Sequence, residues 1–154
     1  MATCAAGELG WRYVGGGIGG QTYMGEIVVW NVGTAPCQLA GTPTLQSYDA
    51  DGSVDTAASG LTAPPFAATL PASMPAFQDA VSNANRYLDV TVSGPMWDAT
   101  GACPAGRIAP STFVLAIGSV VLRVANKDAD AVQNQSLQGC GGEIDLGPIS
   151  VPSR

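Results

Sequence analysis

The feature that most constrains this chain is four cysteines with no histidine. Cys4, Cys37, Cys103 and Cys140 stand 33, 66 and 37 residues apart in 154 residues. None forms a C-x-x-C pair, and a structural zinc site draws its ligands from short-spaced pairs. An even count at long spacing fits disulfides formed in an oxidising compartment. Four cysteines admit three connectivities. Cys4–Cys37 with Cys103–Cys140 is favoured, because each bond then joins neighbouring elements at the edges of one half of the chain. Loops of this size contribute roughly 3–4 kcal/mol each in the chain-entropy account. The competing readings are four unpaired buried thiols in a cytosolic protein, or a lipid anchor on Cys4. Ala2-Thr3 is a poor lead-in for an anchor, which would also leave three cysteines over.

The missing histidine removes much chemistry. Ser-His-Asp and Cys-His nucleophile systems, His-ligated catalytic zinc and the usual general base near neutral pH all need an imidazole. The single lysine, Lys127, sits in a polar turn and is poorly placed for desolvation. Paired carboxylates can hydrolyse glycosides, but nothing in the sequence groups Asp79, Asp89 and Asp98. Gly15-x-Gly17-x-x-Gly20 matches the dinucleotide fingerprint only in letters, since that motif must open a helix and a β-rich stretch follows here. Asp49-x-Asp51-Gly52 resembles the start of a calcium loop, yet position 60, where the EF-hand needs Glu, is Gly. It reads as a hairpin turn, and Asp128 and Asp130 read the same way. No cofactor or metal is implied.

The length suits one domain spanning 1–154, with enough chain to bury a core. Charged residues make up only 12% of the sequence, and its net charge is −6. The few cations are scattered, whereas a phosphate backbone needs a clustered basic footprint. Nucleic acid and anionic membranes are therefore excluded as expected partners. The longest apolar run, 113–125, is interrupted by Gly118, Ser119 and Arg123 and falls short of the ~20 residues of a membrane-spanning helix. The chain opens Met1-Ala2-Thr3-Cys4 without a basic and apolar leader.

Glycine and proline punctuate the sequence every 8–12 residues, the rhythm of a sandwich or barrel. Leu9–Val14 reads as a strand broken by Gly15–Gly20. Tyr23–Val32, dense in β-branched and aromatic residues, is the strongest strand signal. Thr34–Cys37 turns the chain, and Pro43–Tyr48 is a strand leading into the Asp49–Gly52 hairpin turn. Residues 55–75 read as a long connection holding one short strand, and 76–85 as a short helical turn. Arg86–Val92 alternates as a strand. A long loop from Gly94 to Pro110 carries Trp97, Asp98 and Cys103. Strands follow at Thr112–Ile117, Ser119–Val124 and Glu143–Val151, with a polar turn at 126–130. Asn134-Gln135-Ser136 matches a glycosylation sequon, relevant only in a eukaryotic secretory host. The predicted fold is all-β: an immunoglobulin-like antiparallel sandwich of seven to nine strands.

The stretch from Gly20 to Gly52 resembles an actinobacterial domain of unknown function, DUF4232. A strand ends in Val29-Trp30-Asn31-Val32-Gly33. Pro36-Cys37-Gln38-Leu39-Ala40-Gly41-Thr42-Pro43 follows, then a strand and Asp49-Ala50-Asp51-Gly52. A leading Cys4, a mid-chain Cys103 and Cys140 before the last strand are also similar. The resemblance implies a secreted or lipoprotein-borne sandwich of the cell envelope and transfers no catalytic residue.

These readings predict a non-catalytic extracellular or cell-envelope module that binds a protein, peptide or wall glycan through loops at one end. Trp97 and Asp98, with Tyr87 near in sequence, are the candidate ligand-binding residues; packing over the Cys103 loop is the alternative role for Trp97. Trp11 and Trp30 lie in strands and are expected in the core. A structural or self-associating envelope domain is the second hypothesis, and a histidine-free carboxylate hydrolase the third.

Overall fold

The computed structural model describes residues 1–55, 60–77, 86–127 and 136–152. After a 3₁₀ turn at Ala6–Glu8 come twelve strands: β1 (Leu9–Gly19), β2 (Thr22–Asn31), β3 (Cys37–Gly41), β4 (Pro43–Tyr48), β5 (Leu61–Thr62), β6 (Phe66–Leu70), β7 (Leu88–Pro95), β8 (Arg107–Ile108), β9 (Thr112–Ile117), β10 (Val120–Ala125), β11 (Gly139–Cys140) and β12 (Asp145–Ser150). Two four-stranded sheets, ordered β1-β2-β7-β12 and β10-β9-β4-β5, enclose the core. Ribbons β3–β6 and β8–β11 flank them, and every strand pairing is antiparallel. The chain is thus an all-β sandwich.

Period-two patterning builds it. β9 turns Phe113, Leu115 and Ile117 inward, and β10 turns Val120, Leu122 and Val124 inward. Across the core, β2 contributes Ile27 and Val29, and β7 contributes Leu88, Val90 and Val92. Each such side chain contributes roughly 1.5–3 kcal/mol when fully buried. β2 is buried on both faces from Ile27 to Asn31. Residues 71–77 lie over its outer face, with Phe77 packed on Val28, Trp30 and Tyr87. Met74 N–H donates to the Asn31 carbonyl at 2.9 Å, and Arg12 Nη1 donates to the Phe77 carbonyl at 2.9 Å. Trp30 is therefore buried as expected, but in this second cluster and not between the sheets. Gly10, directly opposite Trp30, has no Cβ because the indole occupies that space.

The predicted break at Gly15–Gly20 does not occur. β1 continues to Gly19 through a bulge between Gly15 and Gly17, and only Gly20, at φ +63°, turns the chain into β2. A bulge absorbs the glycine run without ending the pairing. The 34–37 turn gives way at Cys37 to β3, and the 55–75 connection holds two strands, β5 and β6, where one was expected. The Asp49–Gly52 hairpin is present, with Gly52 at φ +85° and Asp51 Oδ1 accepting from Ser53 N at 2.9 Å. Residues 78–85 of the expected helical turn, Asp79, the aspartates of the 126–130 turn and most of the sequon lie outside the described residues.

Both disulfides have the favoured connectivity, Cys4–Cys37 and Cys103–Cys140. No helix among the described residues is long and apolar enough to cross a membrane.

Candidate functional site

Each end of the sandwich combines a disulfide with a buried asparagine that stands in for missing backbone partners. At one end, Asn31 Nδ2 donates to the Ala35 carbonyl (2.8 Å) and the Leu70 carbonyl (3.3 Å), and its Oδ1 accepts from Gly33 N–H at 2.8 Å. Leu70 pairs with Cys37, whose bond to Cys4 is buried in the main core. At the other end, Asn126 Nδ2 donates to the Pro110 carbonyl (2.8 Å) and the Leu137 carbonyl (2.9 Å), while Oδ1 accepts from Leu137 N–H (2.8 Å). Gln138 and Gly139 then cross close over Gly94, where any Cβ would strike the Gln138 carbonyl.

That second end carries an exposed cluster. The β1–β2 hairpin brings Ile18 opposite Tyr23, so the two share one face. Thr22 pairs with Pro95, and Met96 N–H donates to the Gln21 carbonyl at 2.9 Å, so Trp97 leaves the sheet beside the hairpin tip. The chain returns through two turns. Asp98 Oδ1 organises the first, accepting from Thr100 N and Oγ1 and from Ala102 N. The Thr100 hydrogen bonds hold the Asp98 carboxyl below the usual carboxylate range. In the second turn Gly106 N–H donates to the Cys103 carbonyl, with Gly106 at φ +79°. Arg107 then pairs with Cys140, and the Cys103–Cys140 bond closes the loop.

The result is a cation laid on aromatic rings. The Arg107 guanidinium carbon sits 4.3 Å from the Trp97 ring centroid and 6.0 Å from that of Tyr23. Trp97 nonetheless remains 37% exposed, with Ile108 at 47% and Ile18 at 61%.

Of the three residues expected to bind ligand, Trp97 and Asp98 are at this end, Asp98 as the organiser of its own turn. Tyr87 is not, and its place in an aromatic platform with Trp97 is corrected. It is 1% exposed, meets Trp30 and Phe77 edge-on, and donates its hydroxyl to the Pro75 carbonyl at 3.1 Å. Burial pushes that hydroxyl's pKa up. β7 lies between the two residues, and an extended strand rises about 3.3 Å per residue. Ten residues of sequence thus become opposite ends of a strand. Trp97's partner is Arg107, which also lies over Tyr23, and neither residue stands out in the sequence. The signal that points to Arg107 is the Cys103–Cys140 bond, which folds the chain back four residues before it. Trp11 is half-buried at the core's edge, where its Nε1 donates to the Arg123 carbonyl at 2.9 Å and ties edge strands β1 and β10 together.

Two further features stand apart. Asp89 lies on the outer face of the first sheet, diagonal to Glu26 and two residue pairs along from it, on the same face. Burial, reinforced by repulsion from and hydrogen bonding to Glu26, raises the Asp89 pKa to about 7. Between β12 and the β5–β6 connection runs an apolar groove of about 450 Å³, whose walls include Pro64, Pro65, Phe66, Leu146 and Pro148. Among the described residues no group of three or more acidic or cysteine side chains is placed to hold a metal. Comparison with protein families, with curated proteins and with solved structures finds no match for this chain.

Proposed function

We propose that this chain is a non-catalytic binding module of an extracellular or cell-envelope protein, with the Trp97–Arg107–Tyr23 end as its contact surface. The observation that carries this reading is Arg107 lying 4.3 Å over a Trp97 ring that stays 37% exposed. A large aromatic left open to water, with a cation ordered on it, is the kind of rigid anchor that dominates binding surfaces. Loops fixed on a sandwich are where such folds keep their contacts. Two disulfides support an oxidising compartment, and the resemblance to DUF4232 supports the envelope and an immunoglobulin-like scaffold.

The carboxylates favour binding over hydrolysis. Glycoside hydrolysis needs two carboxyls about 5–10 Å apart flanking a bond. Glu26 and Asp89 instead hydrogen-bond to each other, and Asp98 is engaged by its own loop.

Tryptophan fluorescence and calorimetric titration against wall glycan fragments and peptides test the proposal. Binding that Trp97→Ala removes, in a variant with unchanged circular dichroism, is expected. Binding indifferent to Trp97→Ala, or concentration-dependent dimerisation with no ligand uptake, would sink it, the second in favour of a structural domain.

A further inference from the structure

We infer that the ligand is a glycan bearing carboxylate groups, with Arg107 receiving the carboxylate and the flanking rings supporting the sugar. This rests on reading the Trp97 end as the contact surface.

The Arg107 guanidinium carbon lies over the Trp97 ring, 4.3 Å from its centroid, with the Tyr23 ring 6.0 Å away. Ring contacts leave in-plane donors unused, and a guanidinium has five N–H groups in a fixed fork. Among the described residues, no side-chain hydrogen bond and no ion pair takes up those donors. Arginine is weakly hydrated, and here it is already ordered by the rings, so little freedom remains to be lost on binding. The matching acceptor is a planar carboxylate, held through two parallel hydrogen bonds.

The surroundings of the fork select what carries that carboxylate. Trp97 lies 4.3 Å from the cation on one side and Tyr23 lies 6.0 Å away, with Ile18 beside Tyr23. A group docking on the rim therefore finds apolar surface within a few ångströms of the charge. A uronic acid has that layout, with a carboxylate one bond from a pyranose whose C–H faces are apolar. An acidic peptide places its carboxylates on flexible methylene arms and loses more rotamer freedom on binding. Asp98, next to Trp97, makes no ion pair with Arg107 among the described residues, and its Oδ1 is held by Thr100 and Ala102.

The test is calorimetric titration with trigalacturonate, its fully methyl-esterified form and hexaglutamate. Trigalacturonate is expected to bind at least about tenfold more tightly than the ester and to weaken with added salt. Arg107→Gln should remove that preference, Arg107→Lys should restore only part of it because an ammonium cannot make the paired contact, and Trp97→Ala should weaken both saccharides. Circular dichroism and a thiol count of zero confirm that each variant keeps its fold and disulfides. Equal binding of acid and ester, or acid binding unchanged by Arg107→Gln, overturns the carboxylate assignment; if Trp97→Ala still abolishes uptake, the contact surface stands. Tighter binding of hexaglutamate overturns the glycan assignment alone. Failure of every glycan and peptide at this end overturns both readings.

Discussion

The two disulfides close loops of nearly equal length, 33 and 37 residues, yet they do different work. Cys4 and Cys37 are 2% and 3% exposed and belong to the main core. The N-terminal segment there lies parallel to β3, with Cys4 N–H donating to the Gln38 carbonyl and Gln38 N–H to the Ala2 carbonyl. Cys103 and Cys140 lie outside both apolar clusters and hold a ribbon of two residue pairs. Loop entropy makes the bonds similar in the unfolded chain. In the folded one, the first bond is part of the packing, and the second holds an exposed loop that packing alone would leave loose.

The largest expected effect separates the two. Replacing Cys4 and Cys37 together with alanine should cost roughly 4–5 kcal/mol in urea unfolding, and the same change at Cys103 and Cys140 roughly 2–3 kcal/mol. Amide exchange should show β9 and β10 still protected in the second variant, while Trp97 fluorescence shifts because Arg107 is released. Equal costs, or loss of core protection in the second variant, would erase the distinction.

The asparagine clamps sharpen it. Asn31→Ala and Asn126→Ala each strand several backbone groups, at about 1–3 kcal/mol per buried group left unpaired. Each should destabilise by roughly 2–4 kcal/mol in the same assay. Asn126→Ala should in addition free the 136–140 segment, measured as faster exchange at Leu137.

A third expectation concerns pH. The folded-state pKa of Asp89, about 7, lies above its unfolded value near 3.9. Between those values the folded state binds the extra proton, so this group's contribution is full below pH 4 and is lost as pH rises towards 7. Solvent reaches the pair, so the loss is of order 1–2 kcal/mol. Asp89→Asn should flatten that part of the stability profile, read by thermal unfolding at successive pH values.

The smallest effect is at the proposed contact surface. Arg107→Ala should change stability by less than about 1 kcal/mol, the scale of an exposed cation–π contact. A large loss would make the stack a structural element.

The sequence made much of the fold legible because period two survives in the long strands. Pro43–Tyr48 and Thr112–Ile117 match their observed bounds, and of the three possible cysteine connectivities the favoured one is observed. Two-residue strands such as β8 and β11 carry no period to detect, and their pairing depends on a distant crosslink. The glycine run in β1 misleads because glycine permits a bulge as readily as a break. The site was half legible. Trp97 stands out as an aromatic in a loop, but sequence distance sets Tyr87 beside it, and an extended strand turns that distance into separation. The diagonal approach of Glu26 to Asp89 depends on the β2–β7 register, which no local pattern encodes.

The chain holds three tryptophans in three environments: Trp11 at the edge of the core, Trp30 in the outer cluster and Trp97 at the exposed end. Titrating trigalacturonate into ¹⁵N-labelled protein and following the three indole N–H signals tests the contact surface most directly. The predicted result is movement of the Trp97 indole together with the Ile18, Tyr23 and Arg107 amides, while Trp11 and Trp30 stay in place. A still Trp97 signal, or shifts confined to Phe66 and Leu146 along the apolar groove, would contradict it.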